Sequence, residues 1–205
     1  GQFNMAKKIP GKEEFFETLR YFKHKIELTG VNLQLGQRKN AQELIDDNFD
    51  HIVLATGVHP RMPTIDGIGH SKVLNYIEVL RDEKSVGNRV AVIGAGGIGF
   101  DVCEYLAHEG ESISLNIDNY LHEWGVDRTH EARGGIEGVE AHPHPSAREL
   151  IMMQRSTGKL GARLGKTTGW IHRTSLKNKN VRMLSEVEYL KIDDHGIHIQ
   201  VGGKP

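Results

Sequence analysis

The sequence predicts an α/β fold in which a doubly wound parallel sheet carries a small antiparallel hairpin, and three observations predict it. Residues 90–99 read V-A-V-I-G-A-G-G-I-G, an apolar, largely β-branched run that ends in Gly94-x-Gly96-x-x-Gly99 and passes into a helical pattern over residues 100–108. Strand and helix patterns then alternate, the arrangement that builds a parallel sheet with crossover helices. Residues 187–192 and 197–201 flank Asp194-His195-Gly196, which is the spacing of a hairpin around a tight turn.

Each element follows from local chemistry. Pro10-Gly11 breaks the opening segment, and residues 12–28 repeat Phe15, Phe16, Leu19, Phe22 and Ile26 at helical spacing before Thr29-Gly30 stops the helix. Residues 31–35 alternate as a short strand, and residues 41–46 form a brief turn or helix. Residues 51–54 form an apolar strand that runs into Ala55-Thr56-Gly57. Pro60, Pro63 and Gly67 mark an irregular connector, the expected boundary between a lobe of residues 1–80 and a lobe of residues 81–205. Residues 76–81 read as a short helix ahead of the glycine-motif strand. Periodicity fails over residues 109–147, which predicts an insertion with some local helix. Residues 150–153 then read as a buried strand ending in Gln154-Arg155-Ser156, residues 167–178 as a helix and residues 181–184 as a short strand.

Composition narrows the function classes. The 205 residues carry a formal net charge of −1 and no basic run, which argues against nucleic acid or an anionic membrane as main partner. No apolar stretch approaches the roughly 20 residues of a membrane span. Gly1-Gln2-Phe3-Asn4-Met5 has neither an initiator methionine nor a signal peptide, so the chain is expected to be cut from a longer, cytoplasmic protein. The single cysteine, Cys103, excludes an intrachain disulfide framework and is expected as a small buried residue.

The glycine motif points to chemistry. Gly94 allows the tight turn, Gly96 lets a pyrophosphate approach the backbone, and Gly99 lets the helix pack close to the strand, as in a Rossmann-like dinucleotide-binding unit. The helix N-terminus offers unpaired N–H groups and a positive dipole end to phosphate. With the insertion set aside, residues 150–153 become the second strand of this unit. In an NAD site that strand ends in an acid for the ribose 2′-hydroxyl, whereas an arginine there suits a 2′-phosphate. Here it ends in Arg155-Ser156, and the nearest carboxylate in sequence is Glu149. This pattern selects NADPH. Asp101, two residues past Gly99, is expected in the first helical turn, where it favours the dipole and also faces the cofactor cleft. His122, His130, His142 and His144 match no common zinc spacing and read as loop histidines, so no metal site is expected. No nucleophile elbow or triad order is present.

Residues 1–12, 92–101 and 165–173 (the last reading G-K-T-T-G-W-I-H-R) resemble bacterial NADPH-dependent 2,4-dienoyl-CoA reductases. The likeness extends along almost the whole chain, including Glu123-Trp124-Gly125 in the insertion. That family joins an old-yellow-enzyme-like barrel to a nucleotide-binding half built like the pyridine nucleotide-disulfide reductases. The resemblance implies a flavoprotein that carries FMN and a four-iron (4Fe-4S) iron–sulfur cluster with its N-terminal barrel, and FAD and NADPH in its C-terminal half. NADPH reduces FAD, electrons pass through the cluster to FMN, and FMN reduces the dienoyl-CoA in β-oxidation of unsaturated fatty acids. On this reading residues 1–80 are a partial FAD-binding lobe and residues 81–205 an NADPH-binding domain, with the barrel as partner domain.

Carried over by position, Gln2 and Lys12 stand where the family contacts FAD. Lys39 stands where a valine meets the adenine through its backbone, and Gly57 lies in the A-T-G turn leading out of the FAD lobe. Gly94, Gly96, Gly99, Arg155 and Ser156 match the NADPH site. Asp101 takes a position near the nicotinamide that is usually glutamate. No catalytic residue is expected in this chain. The FAD lobe's own glycine motif is absent, so the chain alone is expected to be colourless and inactive on a dienoyl-CoA. Two other readings are the corresponding half of another flavoprotein oxidoreductase, such as an enoate reductase or an amine dehydrogenase relative, and a nucleotide-binding scaffold without redox chemistry.

Overall fold

The computed structural model describes residues 1–203; the last two residues of the expected second lobe lie outside the described residues. The chain opens with a short helix, α1 (Phe3–Ala6), followed by α2 (Phe15–Thr29), which Gly30 closes in the left-handed conformation with φ of 67°. The expected apolar face of α2 is there but finds little cover, and none of its residues is buried. Phe15 meets Phe3 at 4.8 Å between ring centres, and the Lys7 ammonium sits 4.6 Å over the Phe16 ring. Residues 41–46 settle as a helix, α3 (Ala41–Asp46). The Asn40 side chain accepts from the Glu43 N–H, and the Glu43 carboxylate accepts from the Asn40 N–H, a reciprocal cap. Asn75 and Glu78 repeat the same device at α4 (Tyr76–Leu80).

Two expected strands do not form. Residues 31–35 and 51–54 run without ladder partners, and their apolar side chains stand in the open, with Leu35 78% and Val53 87% exposed. An extended segment becomes a strand only beside another that accepts its hydrogen bonds, and among the described residues neither segment joins a sheet. Alternating apolarity is therefore a statement about a missing neighbour as much as about local conformation.

The second part of the chain forms the sheet. Strand β1 (Arg89–Ile93) leads into α5 (Gly97–Ala107); the insertion follows, with two short 3₁₀ turns and α6 (Ile117–Trp124). Strand β2 (Glu149–Met153), α7 (Gly169–Asn178) and β3 (Arg182–Leu184) complete a parallel three-stranded sheet in the order β1-β2-β3. Strands β4 (Val187–Asp193) and β5 (Gly196–Val201) form the antiparallel hairpin, as its turn residues predict. The fold is thus the expected Rossmann-like α/β unit with an appended antiparallel pair.

The alternation of the strands aims one row of side chains at the helices. Val92, Met152 and Met183 lie side by side across the sheet, and Val90 pairs with Leu150. They pack with Phe100, Val102, Cys103 and Leu106 of α5 and with Leu176 of α7 in one core. Met5 and Ile9 join the same core, together with Val79 and Leu80, so the N-terminal segment is built into the second half of the chain. Helix α5 starts three residues before the expected position because Gly96 serves as N-cap and two glycines enter the first turn. Glycine's low helix propensity hides such a start from any pattern of apolar spacing.

One ion pair crosses this core. Glu104 of α5 accepts from the Lys179 ammonium at 2.9 Å, each side chain only 10% exposed, and Lys179 caps the C-terminal end of α7, where a cation suits the dipole. Removing only the acid strands a buried charge. Glu104→Ala is expected to destabilise the fold by about 3–5 kcal/mol, whereas Glu104→Leu combined with Lys179→Met should cost far less. Urea unfolding of the two variants checks this, and equal losses would contradict it.

Candidate dinucleotide-binding site

Strand β1 delivers the chain to Gly94, whose φ of 111° lies in the region that disfavours side chains. The chain turns there and enters α5 at Gly96, which is extended and caps the helix without a side chain. A Cβ on Gly99 would fall within the van der Waals envelope of the Gly94 carbonyl oxygen and 3.0 Å from its carbon, so the helix sits directly on the turn. By contrast, nothing lies within 4 Å of a Cβ on Gly94, Gly96 or Gly97. The three glycines therefore divide as expected: one for the turn, one for close helix packing and one facing free space. The first helical N–H engaged is that of Phe100, to the Gly96 carbonyl at 3.1 Å. The donors ahead of it face the ledge, a fitting seat for pyrophosphate.

The end of β2 lies beside this ledge. The Gly94 N–H donates to the Met153 carbonyl at 2.9 Å, which places Arg155 and Ser156 just beyond the glycine turn. Both are exposed. Arg155 is close enough to Tyr189 on β4 that its charge partly offsets the rise that burial imposes on the tyrosine hydroxyl. Along the sequence the nearest carboxylate is Glu149, and the fold brings the backbone of a further acid, Glu186, to the same loop. Glu186 donates its N–H to the Ser156 carbonyl at 3.2 Å, although its carboxylate is turned toward Gly202. The start of the hairpin thus docks on this loop through its backbone, a contact between residues thirty apart that no local pattern reveals.

Lys12 and Asp101 come together. The Lys12 ammonium lies 2.6 and 2.7 Å from the two Asp101 oxygens, in a half-buried pair joining the N-terminal segment to α5. Asp101 is the fifth residue of α5, not in the first turn as expected, because the helix begins at Gly97. Beside it, Glu13 accepts from the Ser114 hydroxyl at 2.7 Å and from the Gly11 N–H at 3.1 Å. Burial alone would raise the Glu13 carboxyl, but hydrogen bonds from Ser112, Ser114 and the backbone hold it below its ordinary value. Residues 11–13 thus clasp both α5 and the start of the insertion. Gln2 donates to the Tyr76 hydroxyl at 2.9 Å and reaches the Val58 carbonyl at 3.4 Å, next to Gly57, whose φ is 76°. Lys39 stands apart: its ammonium pairs with Asp47 at 3.2 Å and meets none of the other expected residues. Tyr76, Glu13 and Glu186 were not singled out by the sequence, and each is recruited through a long-range contact.

The insertion has its own internal order. His122 stacks on His142 at 4.3 Å, and His144 contacts the buried carboxylate of Glu123 at 2.9 Å. Asp127 is held well below the usual carboxylate range by the N–H of Ala132 and by Thr129. A cleft of about 300 Å³ lies between α6 and residues 125–128 and 139–140, away from the glycine ledge. Among the described residues no three potential ligands gather as a metal site, and no helix is long and apolar enough to cross a membrane. Cys103 is fully buried and its thiol is pushed up to about 12 by burial and by Glu104, which makes it a packing residue.

A strand, glycine turn, close-packed helix and parallel second strand with an open phosphate ledge define a dinucleotide-binding α/β protein. The chain belongs to the pyridine nucleotide-disulphide oxidoreductase family, whose model matches residues 5–204, and is thereby part of an oxidoreductase of a kind that binds FAD and NAD(P). It is 34% identical over 115 residues to a bilirubin reductase of Mediterraneibacter gnavus (strain CC55_001C), covering 56% of this chain and 18% of that protein. It is 23% identical over 207 residues to a metal reductase of Desulforamulus reducens (strain ATCC BAA-1160 / DSM 100696 / MI-1), covering 99% of this chain and 30% of that one. A solved 2-naphthoyl-CoA reductase, in complex with 2-naphthoyl-CoA, shares the fold with a TM-score of 0.74 at 22% identity, over all of this chain and 25% of the other. The chain thus spans less than a third of the length of each of these proteins.

The two glycines separate binding from folding. Gly96→Val has room and an ordinary φ, so it should leave the unfolding midpoint nearly unchanged while filling the space that phosphate needs. Gly99→Val forces α5 off the turn and should cost about 1–3 kcal/mol of stability. Thermal unfolding alongside dinucleotide titration checks both; full-strength binding by folded Gly96→Val would move the phosphate elsewhere.

Proposed function

We propose that this chain is the NADPH-accepting and FAD-holding part of a 2,4-dienoyl-CoA reductase. The observation that carries the nucleotide assignment is the position of Arg155-Ser156 at the end of β2, across the Gly94–Met153 hydrogen bond from the glycine turn. A guanidinium and a hydroxyl at that point suit a phosphate monoester, and Glu186, whose N–H reaches the Ser156 carbonyl, has its carboxylate toward Gly202. The substrate assignment is supported by the resemblance of residues 1–12, 92–101 and 165–173 to that family.

The residues divide the work. Gly94, Gly96 and the α5 N-terminus seat the pyrophosphate, and Arg155 and Ser156 hold the 2′-phosphate. Gln2, Lys12 and Gly57 serve the FAD side, with Lys12 and Asp101 tying the two sides together. Lys39, ion-paired to Asp47, contributes through its backbone alone. When bound, NADPH supplies a hydride and FAD accepts it. FMN, a 4Fe-4S cluster and the dienoyl-CoA site belong to the partner barrel of the same proposal, and the protein works in the cytoplasm.

A second reading keeps the nucleotide half and changes the substrate, another flavin-borne reduction taking the place of the dienoyl-CoA one. The 34% identity to a bilirubin reductase favours it. NADPH-dependent reduction of a 2,4-dienoyl-CoA by the full-length protein, measured against bilirubin, decides between the two. For the nucleotide, NADP(H) should bind this chain more tightly than NAD(H), and Arg155→Ala should remove most of the difference, roughly tenfold or more. Equal affinities of the unaltered chain for both nucleotides, measured by calorimetry, would defeat the NADPH assignment.

A further inference from the structure

We infer that Gln154 is a positioning residue for phosphate recognition: its carboxamide shapes residues 155–159 into an anion-receiving loop, in which Lys159 is a second cation beside Arg155. The inference rests on the NADPH reading above. Gln154 follows the last residue of β2 and is half-buried. Its Nε2 lies 3.2 Å from the Ser156 carbonyl, 3.2 Å from the Gly158 carbonyl and 3.5 Å from the Thr157 carbonyl. An amide NH₂ has two hydrogens, so two of these bonds are made well at once and the longest contact is marginal.

Three successive carbonyls are turned toward one group, the Gln154 carboxamide, which leaves the N–H groups of the same turn to find partners elsewhere. Among the described residues, none of the N–H groups of residues 155–159 donates to another backbone group. Successive N–H groups exposed in this way make a concave anion receptor. The loop is pinned on both sides. The N–H groups of Val187 and Glu186 donate to the Gln154 and Ser156 carbonyls at 3.0 and 3.2 Å. Leu160 is buried, and Gly161 lies so close to the ring of Phe100 that a Cβ there would come within 2.7 Å of it. Phe100 belongs to the first turns of α5, so the loop is seated on the same helix that faces the phosphate ledge.

Charge points the same way. Residues 150–185 contain eight Lys and Arg and no Asp or Glu, in a chain whose net charge is −1. Arg155 and Lys159 are both exposed, and neither forms an ion pair among the described residues. Two free cations around outward N–H groups suit the dianionic monoester that distinguishes NADP(H) from NAD(H).

Calorimetric titration of the 205-residue chain with NADP⁺ and NAD⁺ tests this. Gln154→Met removes the donors and keeps the size; it should weaken NADP⁺ about tenfold and leave NAD⁺ unchanged, and it should add little to Arg155→Ala. Lys159→Ala should lower the NADP⁺ preference about threefold. Gln154→Glu, read if the methionine variant does not fold, should weaken NADP⁺ further, because a carboxylate repels both the carbonyls and the phosphate. A NADP⁺ preference in a folded Gln154 variant equal to that of the unaltered chain overturns the inference. So does a parallel loss of both nucleotides, or unfolding of both variants, since either makes Gln154 a plain structural residue. Lack of any NADP⁺ preference in the unaltered chain instead defeats the NADPH reading itself, before any Gln154 variant is compared.

Discussion

Helix α5 presses directly onto the glycine turn, and most of the molecule is arranged by that contact. Because Gly99 has no side chain, the helix meets the Gly94 carbonyl. This closeness fixes the direction of α5 relative to β1 and the height of its N-terminus above the strand ends. From there the helix distributes constraints. Phe100 receives the loop that follows β2, Asp101 receives Lys12, and Cys103 and Leu106 fill the core under the sheet. Glu104 reaches across to the end of α7. An eleven-residue helix thus meets the loop after β2, the N-terminal segment, the core and the end of α7.

The N-terminal segment is bound to this helix more firmly than its position in the chain suggests. Met5 and Ile9 lie in the common core, Gln2 holds Tyr76 ahead of β1, and Lys12 closes on Asp101. Gln2 and Lys12, two of the residues linked by resemblance to the flavin, therefore stand on the same scaffold as those linked to the nicotinamide nucleotide. Residues 15–54 differ: α2 buries none of its side chains, and two apolar stretches stand exposed beside it. Their conformation waits on neighbours that the described residues do not supply.

The charge distribution separates recognition from structure. Acids dominate the chain outside residues 150–185 and are absent within them, although the net charge is nearly zero. The paired cations, such as Lys12 and Lys179, hold elements together, while Arg155 and Lys159, just after β2, form no ion pair among the described residues. An unpaired cation keeps its full attraction for an incoming phosphate, whereas a salt-bridged one has already spent it.

By itself the sequence determined the parallel sheet, the glycine turn, the second strand leading to Arg155, the hairpin and the irregular insertion. These rest on interactions within a few residues of one another: alternation of apolar side chains, capping groups and the special conformations open to glycine. It misplaced what depends on neighbours far along the chain. The strands at residues 31–35 and 51–54 lacked partners for their backbone groups, α5 began earlier because glycine masks a helix start, and Asp101 moved accordingly into the second turn. Only the tertiary structure decided that Lys12 meets Asp101 across 89 positions, that Glu186 approaches Ser156, and that Lys39 pairs with Asp47 away from the site. Short-range preferences are written in the order of residues. Which charges meet is set by packing, because the energy of an ion pair depends on distance in space and not on separation along the chain.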